Sequence, residues 1–185
     1  MKILCVVGMP ASGKTIVSDK AKQLRIFTLT TGDIIREEMQ IKGIIYTENN
    51  ERKMTEWFYK NQRELMRRVV NKITEENNPD PIVIEGFRSP SQIQALKDRL
   101  RGEEVSILAI HTPPKIRWKR ERERSRYQGK GYRNIKERDK MEIEMGLTEL
   151  IAMADHMIVN NKSILEFRKT VKDKLIEILN IIVKR

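Results

Sequence analysis

Apolar residues in this chain gather into short runs separated by longer stretches in which they recur every three or four positions. Residues 3–7, 27–30, 82–85, 105–110 and 156–159 form the runs. Runs that are apolar at successive positions predict strands buried on both faces, as in a parallel sheet. The intervening stretches predict helices over residues 13–24, about 32–43, 91–101, 115–127 and 135–154. Residues 47–75 predict one long helix or two consecutive ones, with Leu65, Val69, Val70 and Ile73 as the apolar stripe. Asn77-Asn78-Pro79-Asp80-Pro81 stops that stretch before the third strand. Ser163 and Glu166 have capping-box spacing and open a last helix to about residue 184. Its predicted stripe is Ile164, Phe167, Val171, Leu175, Ile178, Leu179 and Ile182. Strand alternating with helix implies βαβ units and an α/β domain over residues 1–185, with excursions at about 33–75 and 120–138.

Composition narrows the classes. The chain has 185 residues, 39% hydrophobic and 34% charged. The apolar runs argue against disorder despite that polarity. No run approaches the roughly 18–20 apolar residues of a membrane span, and the N-terminus lacks the pattern of a signal peptide, so a soluble cytoplasmic protein with no membrane partner is expected. Cys5 is the only cysteine and reads as an inert core thiol; with two histidines, His111 and His156, a His/Cys zinc site is not expected. His111 reads as structural, and Trp57, Phe58, Tyr59 and Trp118 read equally as packing or as pocket residues.

The net charge of +11 suggests a nucleic-acid partner, but the charge is unevenly distributed. Residues 115–138 hold eleven cations and three acids, so most of the excess charge is local. Gln128-Gly129-Lys130-Gly131-Tyr132 inside that stretch reads as a loop.

The strongest motif is Gly8-Met9-Pro10-Ala11-Ser12-Gly13-Lys14-Thr15. Its spacing, G-x-x-x-x-G-K-[ST], lets backbone N–H groups turn inward around phosphate oxygens at the start of a helix. Gly8, Pro10, Ala11, Ser12, Gly13, Lys14 and Thr15 are therefore the candidate nucleotide-binding residues. Lys14 suits the β- and γ-phosphates, and the Thr15 hydroxyl suits Mg²⁺.

Thr31-Gly32-Asp33-Ile34-Ile35-Arg36 follows the second run, and with the phosphate loop it resembles the adenylate kinase group of nucleoside monophosphate kinases. The resemblance implies that Thr31, Gly32 and Arg36 bind the acceptor and that Asp33 faces the same cleft. Glu85-Gly86-Phe87-Arg88, with Gln92 four residues on, is similar to the D-G-F-P-R…Q of that group. Here Glu85 replaces the Asp and the Pro is missing. By resemblance Glu85 orders Mg²⁺, and Arg88 and Gln92 hold the acceptor. By the same resemblance the basic stretch would be an arginine-rich lid, with Arg120, Arg124, Arg126 and Arg138 as the candidates. Residues 154–167 resemble a segment of dephospho-CoA kinases and of an uncharacterised, mainly archaeal, adenylate-kinase-related family. There Asn160 either borders the donor adenine or starts a turn.

The resemblance implies a P-loop kinase fold with five parallel strands in the order 2-3-1-4-5, helices on both faces and a small lid. The activity expected is Mg²⁺-dependent phosphoryl transfer from ATP to a small phosphate-bearing acceptor, first a nucleoside monophosphate. In that reading Lys14, Asp33, Arg88, Arg120, Arg124 and Arg138 are the catalytic set. Two other readings are a kinase for a hydroxyl acceptor such as dephospho-CoA, and an ATP-dependent switch that binds RNA or protein through the basic stretch.

Overall fold

The structure is a computed structural model that describes residues 1–127 and 135–181, without the side chains of 124–127. The predicted loop at 128–132 lies outside the described residues.

Five strands form one parallel sheet in the order β2-β3-β1-β4-β5. They are β1 (Lys2–Val7), β2 (Phe27–Thr30), β3 (Ile82–Glu85), β4 (Glu104–His111) and β5 (His156–Val159). The central strand β1 pairs with β3 on one side, Val6 opposite Glu85, and with β4 on the other, Val7 opposite Ala109. This register brings the carboxyl ends of β1 and β3 side by side, where an open α/β sheet binds its ligands.

The helices are α1 (Lys14–Gln23), α2 (Thr31–Ile41), α3 (Glu48–Lys60), α4 (Gln62–Glu75), α5 (Pro90–Arg99), α6 (Pro114–Tyr127), α7 (Ile135–Glu144), α8 (Leu147–Ala152) and α9 (Ile164–Leu179). Alternate strand residues feed two separate cores. Ile3, Cys5, Val7, Ile82 and Ile84 pack against α2, α3, α4, α5 and α8. Leu4, Val6, Val83, Leu108 and Ile110 pack against α1 and α9. Both faces are covered, which is why the strands read as continuous apolar runs. No helix among the described residues is long and apolar enough to cross a membrane.

Several boundaries differ from the sequence reading for local reasons. The 47–75 stretch is two helices, broken at Asn61, whose side-chain amide donates to the Trp57 carbonyl at 2.8 Å. Met66 joins Leu65, Val69 and Ile73 in the core, while Val70 is only half-buried. The 135–154 stretch is interrupted by Gly146 at φ 95°, a left-handed conformation that separates α7 from α8. The last helix ends at Leu179 rather than near 184, because Asn180 takes a left-handed cap at φ 52°. Ile164 is 55% exposed and does not belong to the stripe, and Ile182 lies outside the described residues.

The capping box of α9 forms as predicted. Ser163 Oγ accepts from the Glu166 N–H, and Glu166 Oε2 accepts from the Ser163 N–H. This end fixes where Phe167 and Val171 enter the core. Ser163→Ala is expected to cost about 1 kcal/mol, lowering the thermal midpoint by about 2–4 °C in a circular-dichroism melt. An unchanged midpoint would mean that packing alone sets the start of the helix.

Candidate active site

The turn between β1 and α1 is built to leave donors free. Its backbone closes through the Ser12 N–H to the Met9 carbonyl at 3.1 Å. Gly13 stands at φ 106°, and a Cβ there would lie 2.5 Å from Asn160 Nδ2 and 3.1 Å from the Phe167 ring. No side chain caps α1, and its first turn holds no acid. The helix therefore presents free N–H groups and its positive end to the cleft. The buried Ser12 Oγ has no hydrogen-bond partner among the described residues. These features fit a bound phosphate chain.

Lys14 folds back over this turn. Its ammonium donates to the Gly8 carbonyl at 2.8 Å and the Met9 carbonyl at 3.3 Å. Burial pushes its pKa below the ordinary lysine value, while the charges of Glu85 and Glu142 oppose the shift. Thr15, the next residue, is exposed.

Glu85 ends β3 beside this loop, and Ser18 Oγ donates to its Oε2 at 2.7 Å. The Thr15 hydroxyl and the Glu85 carboxylate are hard oxygen donors at the mouth of the phosphate turn. They fit Mg²⁺, which takes one or two protein oxygens and fills its remaining positions with phosphate and water. Among the described residues no group of three or more His, Cys, Asp or Glu stands ready to hold a metal by itself.

The facing wall comes from the start of α2 and the loop after β3. Thr30 caps α2, accepting from the Asp33 N–H at 3.0 Å and donating to Asp33 Oδ2 at 2.6 Å. Arg36 donates to Asp33 Oδ1 at 2.6 Å and to Glu51 Oε1 at 2.9 Å. Partial burial works to raise the Asp33 carboxyl, but the hydrogen bonds from Thr30 and Arg36 outweigh it, and its pKa falls below the ordinary value. Thr31 is buried under Gly86, which stands at φ 110°; a Cβ on Gly86 would strike the Thr31 hydroxyl. Gln92 is buried too, and its Oε1 accepts from the Arg88 N–H at 2.7 Å. Gln92 thus supports the Arg88 backbone and does not line the cleft. The Arg88 side chain reaches Glu142 on α7, with Nε 3.1 Å from Oε2.

Lys14, Thr15, Ser18, Thr31, Gly32, Asp33, Arg36, Glu85, Arg88, Arg138 and Glu142 line one cleft of about 350 Å³. The phosphate loop and the expected acceptor residues therefore face each other. Ser18 and Glu142 are additions that the sequence reading missed. Each had a signal: Ser18 follows Thr15 by three residues on α1, and Glu142 follows Arg138 by four on α7, so each shares a helix face with a candidate.

The roots of the basic stretch are tied to the phosphate loop. Arg117 is buried and makes two parallel hydrogen bonds to Asp139, at 2.7 and 2.9 Å. It also donates to the carbonyls of Pro10 at 3.1 Å and Thr112 at 3.2 Å. Trp118 Nε1 donates to Asp139 Oδ2 at 3.1 Å. Asn160 is buried, its Nδ2 donating to the Ser12 carbonyl at 2.8 Å and its Oδ1 accepting from Arg120 at 3.2 Å. Both ends of that amide are engaged. Arg138 pairs with Glu121 at 3.6 Å. The side chains of Arg124 and Arg126 lie outside the described residues. His111 is exposed at the end of β4, and Cys5 is fully buried in the core.

A family model described as an AAA domain matches residues 7–139. The UPF0200 protein of Pyrococcus horikoshii is 34% identical, over 96% of this chain and 98% of its own length. A UPF0200 protein of Saccharolobus islandicus is also 34% identical, over 91% of this chain and 89% of its own. Among solved structures, a shikimate kinase from Acinetobacter baumannii aligns with a TM-score of 0.63 at 17% identity, covering 100% of this chain and 96% of that one. A dephospho-CoA kinase from Campylobacter jejuni aligns at 0.58 and 17%, covering 97% and 98%. The likeness to these structures is one of fold, the P-loop kinase fold.

Proposed function

The chain belongs to the UPF0200 family and has a P-loop kinase fold, and from that premise we propose that it transfers the γ-phosphoryl group of ATP to a small phosphate-bearing acceptor. The observation that carries this reading is the single cleft in which Lys14, Thr15 and Glu85 face Asp33, Arg36 and Arg88. Lys14 and the free N–H groups at the start of α1 bind the donor phosphates. Thr15 and Glu85 would hold Mg²⁺, which would neutralise negative charge on the donor phosphates. Arg36 and Arg88 offer planar guanidinium groups to the acceptor's phosphate. The cleft is at the small end of ligand pockets, about 300–1,000 Å³, which suits a small acceptor. Nucleoside monophosphates meet that description, and the larger dephospho-CoA is the alternative with a hydroxyl acceptor. Within the basic stretch Arg117, Arg120 and Arg138 are engaged by Asp139, Asn160 and Glu121, and Arg117 and Asn160 tie its roots to the phosphate loop through the Pro10 and Ser12 carbonyls.

The test is an acceptor screen with γ-labelled ATP and Mg²⁺ across AMP, CMP, GMP, UMP and dephospho-CoA. Label is expected on at least one acceptor. Arg36→Ala is then expected to raise the acceptor KM roughly tenfold or more while leaving the ATP KM near its starting value. Hydrolysis of ATP with no labelled acceptor would overturn the kinase reading in favour of a switch.

A further inference from the structure

The cleft holds a carboxylate for which this reading has no role. Glu142 lines the cleft, is 5% exposed, and its Oε2 makes no hydrogen bond among the described residues. Arg88 Nε lies 3.1 Å from that oxygen, near enough to pair in charge but not aligned to donate. A buried carboxylate oxygen left without a donor costs stability, so its persistence in a ligand cleft points to a donor carried in by the ligand.

Asp33 is the other carboxylate on the acceptor side, and it is poorly free to take a proton. Its two oxygens already accept from Thr30 and Arg36, both at 2.6 Å. Those bonds favour its ionised form, and the Thr30 bond also holds the start of α2. Glu142 has an open oxygen instead. Its charge also acts on the Lys14 ammonium, which places it within electrostatic reach of the group that binds the donor phosphates. Of the carboxylates that line the cleft, Asp33 is occupied and Glu142 has an open oxygen, which divides them into a positioning group and a base.

We propose that Glu142 is the general base of this site and that the oxygen receiving the phosphoryl group is a hydroxyl. The inference rests on the phosphoryl-transfer reading and selects within it. A monophosphate oxygen is already ionised and needs no base, whereas a hydroxyl gives up its proton. That proton passes to Glu142 Oε2 as the acceptor oxygen bonds to the γ-phosphorus. The bond from the γ-phosphorus to the β–γ bridging oxygen breaks, and its electron pair leaves on ADP. Glu142 then returns the proton to solvent. The acceptor's own phosphate lies against Arg36 and Arg88, so the substrate class is a small alcohol that already carries a phosphate.

Two acceptor probes test this on the full chain: water, in intrinsic ATP hydrolysis, and dephospho-CoA, with AMP as the contrast. Glu142→Gln is expected to lower kcat with either hydroxyl probe roughly 100-fold or more, with the ATP KM little changed. The acid limb of the kcat–pH profile is expected to disappear with it. The charged groups that share the cleft with Glu142 in that profile are Arg88, which pairs with it, Lys14, on whose ammonium its charge acts, and Asp19, Lys22, Asp33, Arg36, Glu85 and Arg138. Asp33→Asn is expected to keep the acid limb. Glu142→Asp, which retains a carboxylate, keeps the limb at a lower kcat and covers the case in which the Gln variant folds poorly. An unchanged kcat and limb in Glu142→Gln, or a limb removed by Asp33→Asn, overturns the assignment. AMP labelled at the same rate by wild type and Glu142→Gln, with no hydroxyl probe turned over, overturns the hydroxyl class and leaves phosphoryl transfer standing. Wild-type protein that hydrolyses ATP without labelling any acceptor, or that neither binds nor turns over ATP, would instead overturn the phosphoryl-transfer reading itself.

Discussion

Replacing Lys14 with alanine is expected to lower Mg²⁺-ATP turnover by on the order of 1,000-fold. The ammonium hangs over the phosphate turn from the Gly8 and Met9 carbonyls, and burial holds its pKa below the ordinary lysine value. It is thus fixed before the nucleotide arrives, and little reorganisation remains when charge develops on the transferring group. Alanine removes the charge and leaves the turn's backbone in place, so the protein is expected to fold. Lys14→Arg is not a conservative rescue, since a planar fork cannot reproduce a compact ammonium seated on two carbonyls. Steady-state turnover with calorimetric ATP binding reads the effect. Turnover within tenfold of wild type would show that the turn is not the phosphate site.

The second large effect falls on stability. Asp139→Ala is expected to destabilise the fold by about 3–5 kcal/mol, because it leaves the buried Arg117 guanidinium without its counter-charge. The remaining partners of Arg117 are the Pro10 and Thr112 carbonyls, dipoles that cannot replace a carboxylate. For a chain of this size that corresponds to a fall of about 6–20 °C in the thermal midpoint. Trp118 loses its indole acceptor in the same variant, so its fluorescence reports the change locally. The double change Arg117→Met with Asp139→Leu removes both charges and is expected to recover much of the loss. A double-mutant cycle then gives the coupling between the pair. A midpoint within 2 °C of wild type in Asp139→Ala would show that the pair does not hold the fold.

Much of the architecture was legible because its determinants are local. The strand runs are apolar at successive positions, since Ile3, Cys5 and Val7 face one core while Leu4 and Val6 face the other. The phosphate loop follows from a backbone shape that only certain spacings permit. What escaped depends on contacts between distant residues. Arg117 sits among ten other cations, and nothing in that run marks it as buried. Its partner is Asp139, on another helix. Gln92 is placed by the backbone of Arg88, and Asn160 by the carbonyl of Ser12 on a strand-end loop across the sheet. Helix lengths escaped where a single residue decides them, as Gly146 and Asn180 do with their left-handed backbones. Glu142 had a spacing cue in Arg138, but its open oxygen is visible only once Arg88 is placed beside it.

The sheet that separates the two cores also separates two sets of substitutions. Side chains above it and below it share no packing partners, so their substitutions are expected to add rather than compound. The helices α2 to α5, which carry much of the acceptor side, belong wholly to one interior; α1 and α9, which back the phosphate turn, belong to the other. A lineage can therefore rework much of its acceptor half while the packing of α1 against α9 stays in place.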